Sequence, residues 1–151
     1  MLLSAAVTAG AVLPGERVLV VENSETGETY VTQPVDGNST VVLAYNHSVE
    51  ETPIRDVYHV RNDSLVMTRM EFQSYGWGLP SRNQNVTTED GWFVLTFDRP
   101  YQEISVQPHH DAGHELVVDG HNYDLVTRTD EQSVRIYTRR QSKLTTLLSA
   151  L

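Results

Sequence analysis

The stretch Leu116-Val117-Val118-Asp119-Gly120-His121-Asn122-Tyr123-Asp124-Leu125 decides the fold class of this chain. Asp119-Gly120 between the apolar run Leu116-Val117-Val118 and the segment His121 to Leu125 is a strong β-hairpin signal, since both turn residues tolerate the positive φ of a two-residue turn. Similar runs recur about every ten residues, separated by turn dipeptides, and no long amphipathic helix interrupts them. The pattern predicts an all-β domain: an antiparallel β-sandwich or partly open barrel of about nine to ten short strands.

The predicted strands cover residues 17–22, 28–35, 40–48, 54–60, 65–73, 92–97, 103–107, 115–118, 123–126 and 133–138. Residues 80–90 have no apolar period and are rich in Asn, Thr, Ser and charge, which predicts a long surface loop. Leucines at 144, 147, 148 and 151 follow the spacing of one helical face and predict a short C-terminal helix. The chain is accordingly divided into an apolar N-terminal segment (1–15), a single β domain (16–138) and a basic, then amphipathic tail (139–151).

Composition restricts the classes of partner. A chain of 151 residues fits one domain with its own core, and the absence of cysteine excludes disulfides and thiolate metal sites. The net charge of -9 argues against nucleic acid, because neutralising phosphates requires a basic face. Lys143 is the one lysine among the basic residues. This scarcity beside abundant acidic residues predicts a halophilic protein, with an ordinary acidic surface as the alternative.

Both termini carry features that suggest contact with a membrane. Residues 1–13 are uncharged and apolar, too short to span a bilayer, and include the small-residue triplet Ala9-Gly10-Ala11. They predict the remnant of an export signal or anchor, the alternative being a buried or frayed first segment. The C-terminal helix predicts packing on a sheet edge or, alternatively, peripheral contact with a membrane or partner. The expected location is extracytoplasmic and membrane-anchored.

A histidine in a strand-to-turn junction is the main candidate for chemistry. Strand alternation places His47 and Ser48 on opposite faces, which disfavours a Ser-His nucleophile pair. A partner for His47 would come from Glu50, Asp56 or Tyr75, and a carboxylate there would fix the tautomer and leave one nitrogen free for a proton or ligand. The alternative is a buried structural histidine that ties down a loop.

Two glycines around a tryptophan form the second candidate. Gly76 and Gly78 allow sharp turns and close backbone approach on either side of Trp77. The indole ring either lines a ligand pocket or interface, or closes one end of the sandwich.

A histidine-rich stretch, His109-His110-Asp111-Ala112-Gly113-His114-Glu115, imitates a metal site. His110 and His114 would converge only on a helix, whereas Pro108 and Gly113 favour a loop. A polar hairpin entrance is therefore the preferred interpretation and a transition-metal site the alternative. Neither a metal nor a cofactor is predicted.

Three ordered motifs resemble the family called domain of unknown function 1850. The first runs from Tyr45 to Tyr58, the second from Phe72 to Pro80, and the third from Asp90 to Phe93. The candidate site residues drawn from these motifs are Tyr45, His47, Ser48, Glu50, Thr52, Pro53, Asp56, Tyr58, Ser74, Tyr75, Gly76, Trp77, Gly78, Leu79, Pro80, Asp90 and Trp92. Glu51 stands where the family has lysine, which puts any role of that lysine with an anion in doubt here.

The resemblance implies a small extracytoplasmic β-domain that serves as an accessory to solute uptake by TRAP-type transporters of the TAXI class. The leading hypothesis is non-enzymatic binding of a solute or transporter subunit around His47, Glu50, Tyr75 and Trp77. One alternative is a hydrolase or lyase with His47 as general base, oriented by Glu50 or Asp56. A second is a purely structural interaction domain.

Overall fold

The computed structural model describes residues 15–74 and 86–141 of the chain. Strands occupy most of this part, and one short helix follows the tenth of them. The elements are β1 (Glu16–Asn23), β2 (Thr29–Pro34), β3 (Thr40–Asn46), β4 (Pro53–Arg61), β5 (Ser64–Phe72), β6 (Val86–Glu89), β7 (Trp92–Tyr101), β8 (Glu103–Val106), β9 (Glu115–Val118), β10 (His121–Asp124), α1 (Leu125–Thr129) and β11 (Val134–Gln141).

The strands form two antiparallel sheets packed face to face. The smaller sheet has the order β2-β1-β11-β8, and the larger has the order β10-β9-β3-β4-β5-β7-β6. The hairpin predicted from Asp119-Gly120 is confirmed. His121 pairs with Val118, and the two turn residues between them, Asp119 and Gly120, both have positive φ. The predicted all-β sandwich is therefore confirmed, as two open sheets rather than a closed barrel.

Two apolar clusters fill the interior. The main cluster joins the sheets and includes Leu19 and Ile136 from the small sheet and Leu43 from the large one, all buried. A smaller cluster centres on Ile54, Phe72 and Leu95 at one end of the large sheet. Three partly buried side chains touch both clusters, namely Tyr45, Met70 and Phe97.

Several predicted boundaries were wrong. Val86–Glu89 is a strand paired with β7, inside the stretch predicted as a loop. The strand predicted over 123–126 stops at Asp124, whose carboxylate accepts from the backbone N–H of Thr127 (3.1 Å) and caps helix α1 instead. Strand β11 continues to Gln141 beside β1, so the basic residues at 139 and 140 are strand residues and not the start of a tail.

The terminal predictions lie outside the described residues. They are the apolar segment up to residue 14 and the C-terminal helix over 144–151. Among the described residues, no helix has the length and apolar character that crossing a membrane requires.

Candidate binding site

The turn between β3 and β4 is built around the side chain of His47. The backbone N–H of His47 donates to the carbonyl of Thr52 (2.8 Å), and the N–H of Glu51 donates back to the carbonyl of His47 (2.9 Å). Nδ1 of the imidazole accepts from the backbone N–H groups of Val49 (3.2 Å) and Glu50 (3.3 Å). The ring thus caps the turn as an Asn or Asp side chain does in an Asx turn, and this role requires an unprotonated Nδ1.

This geometry revises the prediction for the first motif. Strand β3 ends at Asn46, so His47 and Ser48 lie in the turn and not on opposite faces of the strand predicted over 40–48. Pro53 pairs with Asn46 but has no N–H to donate. The N–H of Asn46 donates to the carbonyl of Ala112 (2.8 Å), which joins the turn to the loop before β9.

Replacing His47 by alanine is expected to lower the free energy of unfolding by roughly 1–2 kcal/mol, the cost of losing a side-chain cap. Asparagine at this position should recover part of that loss, because its Oδ1 also reaches N–H groups two and three residues ahead. Urea denaturation of the two variants measures this. Equal stability of His47→Ala and His47→Asn would contradict the capping role.

A carboxyl group lies on the inner face of the large sheet, behind this turn. Asp56 of β4 lies between Leu43 of β3 and Met70 of β5 in register and is only 7% exposed. The hydroxyl of Tyr45 donates to its Oδ2 (3.2 Å), while Oδ1 has no hydrogen-bond partner among the described residues. Burial raises the pKa of Asp56 to about 6, although the hydrogen bond from Tyr45 acts to lower it.

The phenols around Asp56 share its apolar surroundings. Burial first, and then the negative charge of Asp56, raise the pKa of Tyr45 and of Tyr58. Tyr58 packs edge-on against Tyr101, with 6.1 Å between ring centroids. A buried carboxyl group with an unsatisfied oxygen is costly, and such groups concentrate at functional sites.

The open face of the turn borders an acidic cleft. The cleft has a volume of about 570 Å³ and is lined by Asn46, His47, Ser48, Glu51 and Asp111. Asp111 comes from the loop that hydrogen-bonds to the end of β3. Two carboxylates, with no lysine or arginine among the described residues of this lining, make the cleft suited to a cation or a hydrogen-bond donor.

A second, smaller depression lies beside the cleft. Asn46 lines both, and Tyr45 lines the smaller one, whose volume is about 280 Å³. The ring of Tyr45 stacks on His114, with centroids 5.4 Å apart and planes at 19°. Burial lowers the pKa of His114, which favours its neutral form in the stack. Tyr45 is thus the contact between the surface and Asp56.

The third motif is divided between the two faces of the large sheet, since Phe93 packs against the smaller apolar cluster while Trp92 lies on the outer face. Asp90 and Gly91 both have positive φ and form the two-residue turn between β6 and β7. The guanidinium of Arg55 lies 4.2 Å from the ring centroid of Trp92, and Arg55 also approaches Glu71 (3.6 Å). Asp90 and Trp92 therefore belong to an outer surface, away from Asp56.

The predicted site residues consequently divide into three groups and a remainder. His47, Ser48, Glu50, Thr52 and Pro53 form or adjoin the turn. Tyr45, Asp56 and Tyr58 lie on the inner face of the large sheet, while Asp90 and Trp92 lie on the outer face. Ser74 is half-buried just after β5. The remainder lies outside the described residues: Tyr75, Gly76, Trp77, Gly78, Leu79 and Pro80.

Two contributors to this region were not predicted as site residues. Asp111 lines the cleft because the neighbouring Ala112 accepts a hydrogen bond from Asn46, which is far away in sequence. No local sequence pattern predicts such a contact. Glu51 was noted only as a departure from the family pattern. Its backbone adopts φ +51°, which fixes it in the tight turn at the edge of the cleft.

Comparison with known families gives a match over residues 41–125 to the model described as Domain of unknown function (DUF1850). The matched range starts in β3 and ends at the start of α1, so it includes the turn, Asp56 and the loop that carries Asp111. Comparisons with curated proteins and with solved structures gave no match. Because the family model covers more than half of the chain, this protein belongs to the DUF1850 family.

Proposed function

We propose that this protein is a non-enzymatic binding module that holds a small cationic solute, or a cationic group of a partner protein, in the cleft beside the β3–β4 turn. The observation that carries the proposal is the acidic lining of the cleft, with Glu51 on the turn fixed by His47 and Asp111 on the loop before β9. A concave site with a few convergent polar groups on rigid elements is the usual form of a solute site.

The buried carboxyl group supports the same proposal. Asp56 has one oxygen bonded to Tyr45 and a second oxygen with no partner among the described residues. Tyr45 lines the depression that adjoins the cleft at Asn46. A solute that extends from the cleft into this depression and attracts the hydroxyl of Tyr45 would alter the environment of Asp56, because the two are hydrogen-bonded.

The alternative of a His47-based hydrolase or lyase has weaker support. A general base needs a free nitrogen and an orienting carboxylate, but Nδ1 of His47 accepts two backbone N–H groups. The carboxylate of Asp56 hydrogen-bonds to Tyr45. These contacts suit a histidine that shapes the turn.

We also propose an extracytoplasmic location, membrane anchoring and a role as an accessory to TAXI-type TRAP transport, with a transporter subunit as the partner. The family resemblance and the apolar N-terminal segment support these points. The acidic composition supports adaptation to high salt.

Isothermal titration calorimetry tests the cleft with putrescine and arginine as cationic probes and succinate as the anionic one. The native chain should bind at least one cationic probe and not succinate. Glu51→Lys should weaken that binding about tenfold or more, since it reverses one of two cleft charges. Glu25→Lys is the matched control, because Glu25 is exposed in the turn between β1 and β2 and carries the same charge change.

Two outcomes would count against the proposal. Equal weakening by Glu25→Lys and Glu51→Lys would show that net charge, and not the cleft, governs the interaction. Absence of binding by every probe, together with no capture of a TAXI transporter subunit by the full chain, would favour a purely structural interaction domain.

A further inference from the structure

The loop between β8 and β9 gathers two imidazoles and a carboxylate at one corner. One ligand atom from each of His109, His110 and Asp111 lies within 4.8 Å of the others. Nε2 of His110 is 3.2 Å from Oδ1 of Asp111, and Nδ1 of His109 is 3.4 Å from Oδ2. The two nitrogens thus approach different oxygens of one carboxylate, and Nδ1 of His109 also accepts the backbone N–H of Asp111 (3.3 Å), a contact that a metal ion would replace. Ligand atoms bonded at about 2.1 Å to one metal ion stand roughly 3.0–3.4 Å apart, so a shared ion requires only small movements of these side chains.

Glu131, which follows α1, orients one of these imidazoles. Its Oε1 lies 2.6 Å from Nδ1 of His110 and also accepts the backbone N–H of His110 (2.8 Å). This carboxylate holds Nδ1 and turns Nε2 toward Asp111. Metal-binding histidines usually have such a carboxylate partner on the second ring nitrogen.

The loop itself is held in place at several points. The N–H of Gly113 donates to the carbonyl of His109 (2.9 Å), and the N–H of His109 donates to Nδ1 of His114 (3.3 Å). Gly113 has φ +60°, which glycine adopts without strain. The side chain of Gln107 donates to the carbonyl of Glu131 (2.6 Å) and ties the start of the loop to the end of α1.

We propose that His109, His110 and Asp111 bind a divalent first-row transition-metal ion, with Glu131 as the positioning residue for His110. Two imidazoles and one carboxylate suit Zn²⁺, Co²⁺ or Ni²⁺, whereas Mg²⁺ and Ca²⁺ prefer oxygen ligands alone. Three protein ligands leave coordination positions open. Since Asp111 also lines the cleft, a bound metal ion and a cationic solute would compete for its carboxylate.

The test uses the full chain without a histidine tag, treated with EDTA and then titrated with ZnCl₂ by calorimetry. We expect one Zn²⁺ per chain, and CoCl₂ should give the visible absorption of a protein-bound ion. Glu131→Gln should weaken binding roughly 10- to 100-fold, as loss of such a partner typically does. His110→Ala and Asp111→Asn should weaken it at least as much.

His121→Ala is the matched control, because His121 is an exposed histidine on β10 outside the cluster. It should leave Zn²⁺ binding unchanged, and MgCl₂ should not compete. The proposal is overturned if no Zn²⁺ binds, if Mg²⁺ competes equally, or if His121→Ala weakens binding as much as His110→Ala. Circular dichroism checks that each variant is folded. If His110→Ala does not fold, the milder Glu131→Gln change still tests the site. No organic solute is present, so this result is separate from that of the solute titrations.

Discussion

Replacing Asp56 by asparagine is expected to remove the loss of stability that ionisation of Asp56 causes in the native chain between pH 4 and pH 8. Asp56 is buried beside Tyr45, and burial raises the pKa of its carboxyl group from the ordinary 3.8 to about 6. The folded state therefore holds this proton more tightly than the unfolded state does. An asparagine has nearly the same shape and cannot ionise.

The sign of the effect follows from the direction of the shift. Below pH 3.8 the group is protonated in both states and costs nothing. As the pH rises through the window from about 4 to 6, the unfolded chain releases its proton first, and the stability of the fold falls. The separation between 3.8 and about 6 corresponds to roughly 3 kcal/mol at 1.36 kcal/mol per pKa unit.

Urea denaturation gives the free energy of unfolding of both proteins at pH 4 and at pH 8. The change between the two pH values is then compared between the proteins, so that the contributions of the other titrating groups cancel. The native chain should lose roughly 2–3 kcal/mol more than Asp56→Asn over this range, because part of the effect is already present at pH 4. Asp36→Asn is the control, because Asp36 is exposed in a turn after β2, and it should follow the native pH dependence. Parallel curves for native and Asp56→Asn would contradict the buried, proton-binding state of Asp56.

Replacing Phe72 by alanine is expected to cost about 3–5 kcal/mol, because it removes a fully buried ring and leaves a cavity. Phe72 is 0% exposed and packs with Ile54 and Leu95 in the smaller apolar cluster. Its ring also contacts that of Phe93, with centroids 5.6 Å apart. For a domain of this size the loss corresponds to a fall of about 10 °C in melting temperature.

Phe72→Leu should cost only about 1 kcal/mol, since leucine refills most of the volume. Val49→Ala in the β3–β4 turn is the exposed control, because Val49 is 65% exposed, and its effect should stay within about 0.5 kcal/mol. Differential scanning calorimetry of the three variants gives the comparison. A loss below about 1 kcal/mol for Phe72→Ala would show that the smaller cluster is not part of the cooperative core.

The sequence predicted the sandwich because its signals are local. Alternating apolar residues and turn pairs such as Asp119-Gly120 act within one hairpin, and they placed most strands within one or two residues. Helix α1 was missed because Asp124 fits the alternating pattern of a strand. Only the structure shows that its carboxylate accepts the N–H of Thr127 and caps the helix. Strand β6 was missed because Val86–Glu89 is short and polar and is fixed by its pairing with β7.

The candidate site was predictable only in part, for a similar reason. The motif pointed to the turn at His47, but strand alternation could not show that the imidazole caps the backbone of its own turn. Asp111 and Glu131 lie far from the motif in sequence and reach the region through tertiary contacts. Asp56 was named as a partner of His47, whereas its carboxyl group is hydrogen-bonded to Tyr45.

The most direct test of the central claim is a map of backbone amide shifts in a two-dimensional NMR titration of the native chain with putrescine or arginine. If the solute binds in the cleft, the shifts concentrate on residues 46–51 and 111 and are lost in Glu51→Lys. Shifts concentrated around Arg55 and Trp92 on the outer face, or no shifts at all, would contradict a solute site in the cleft.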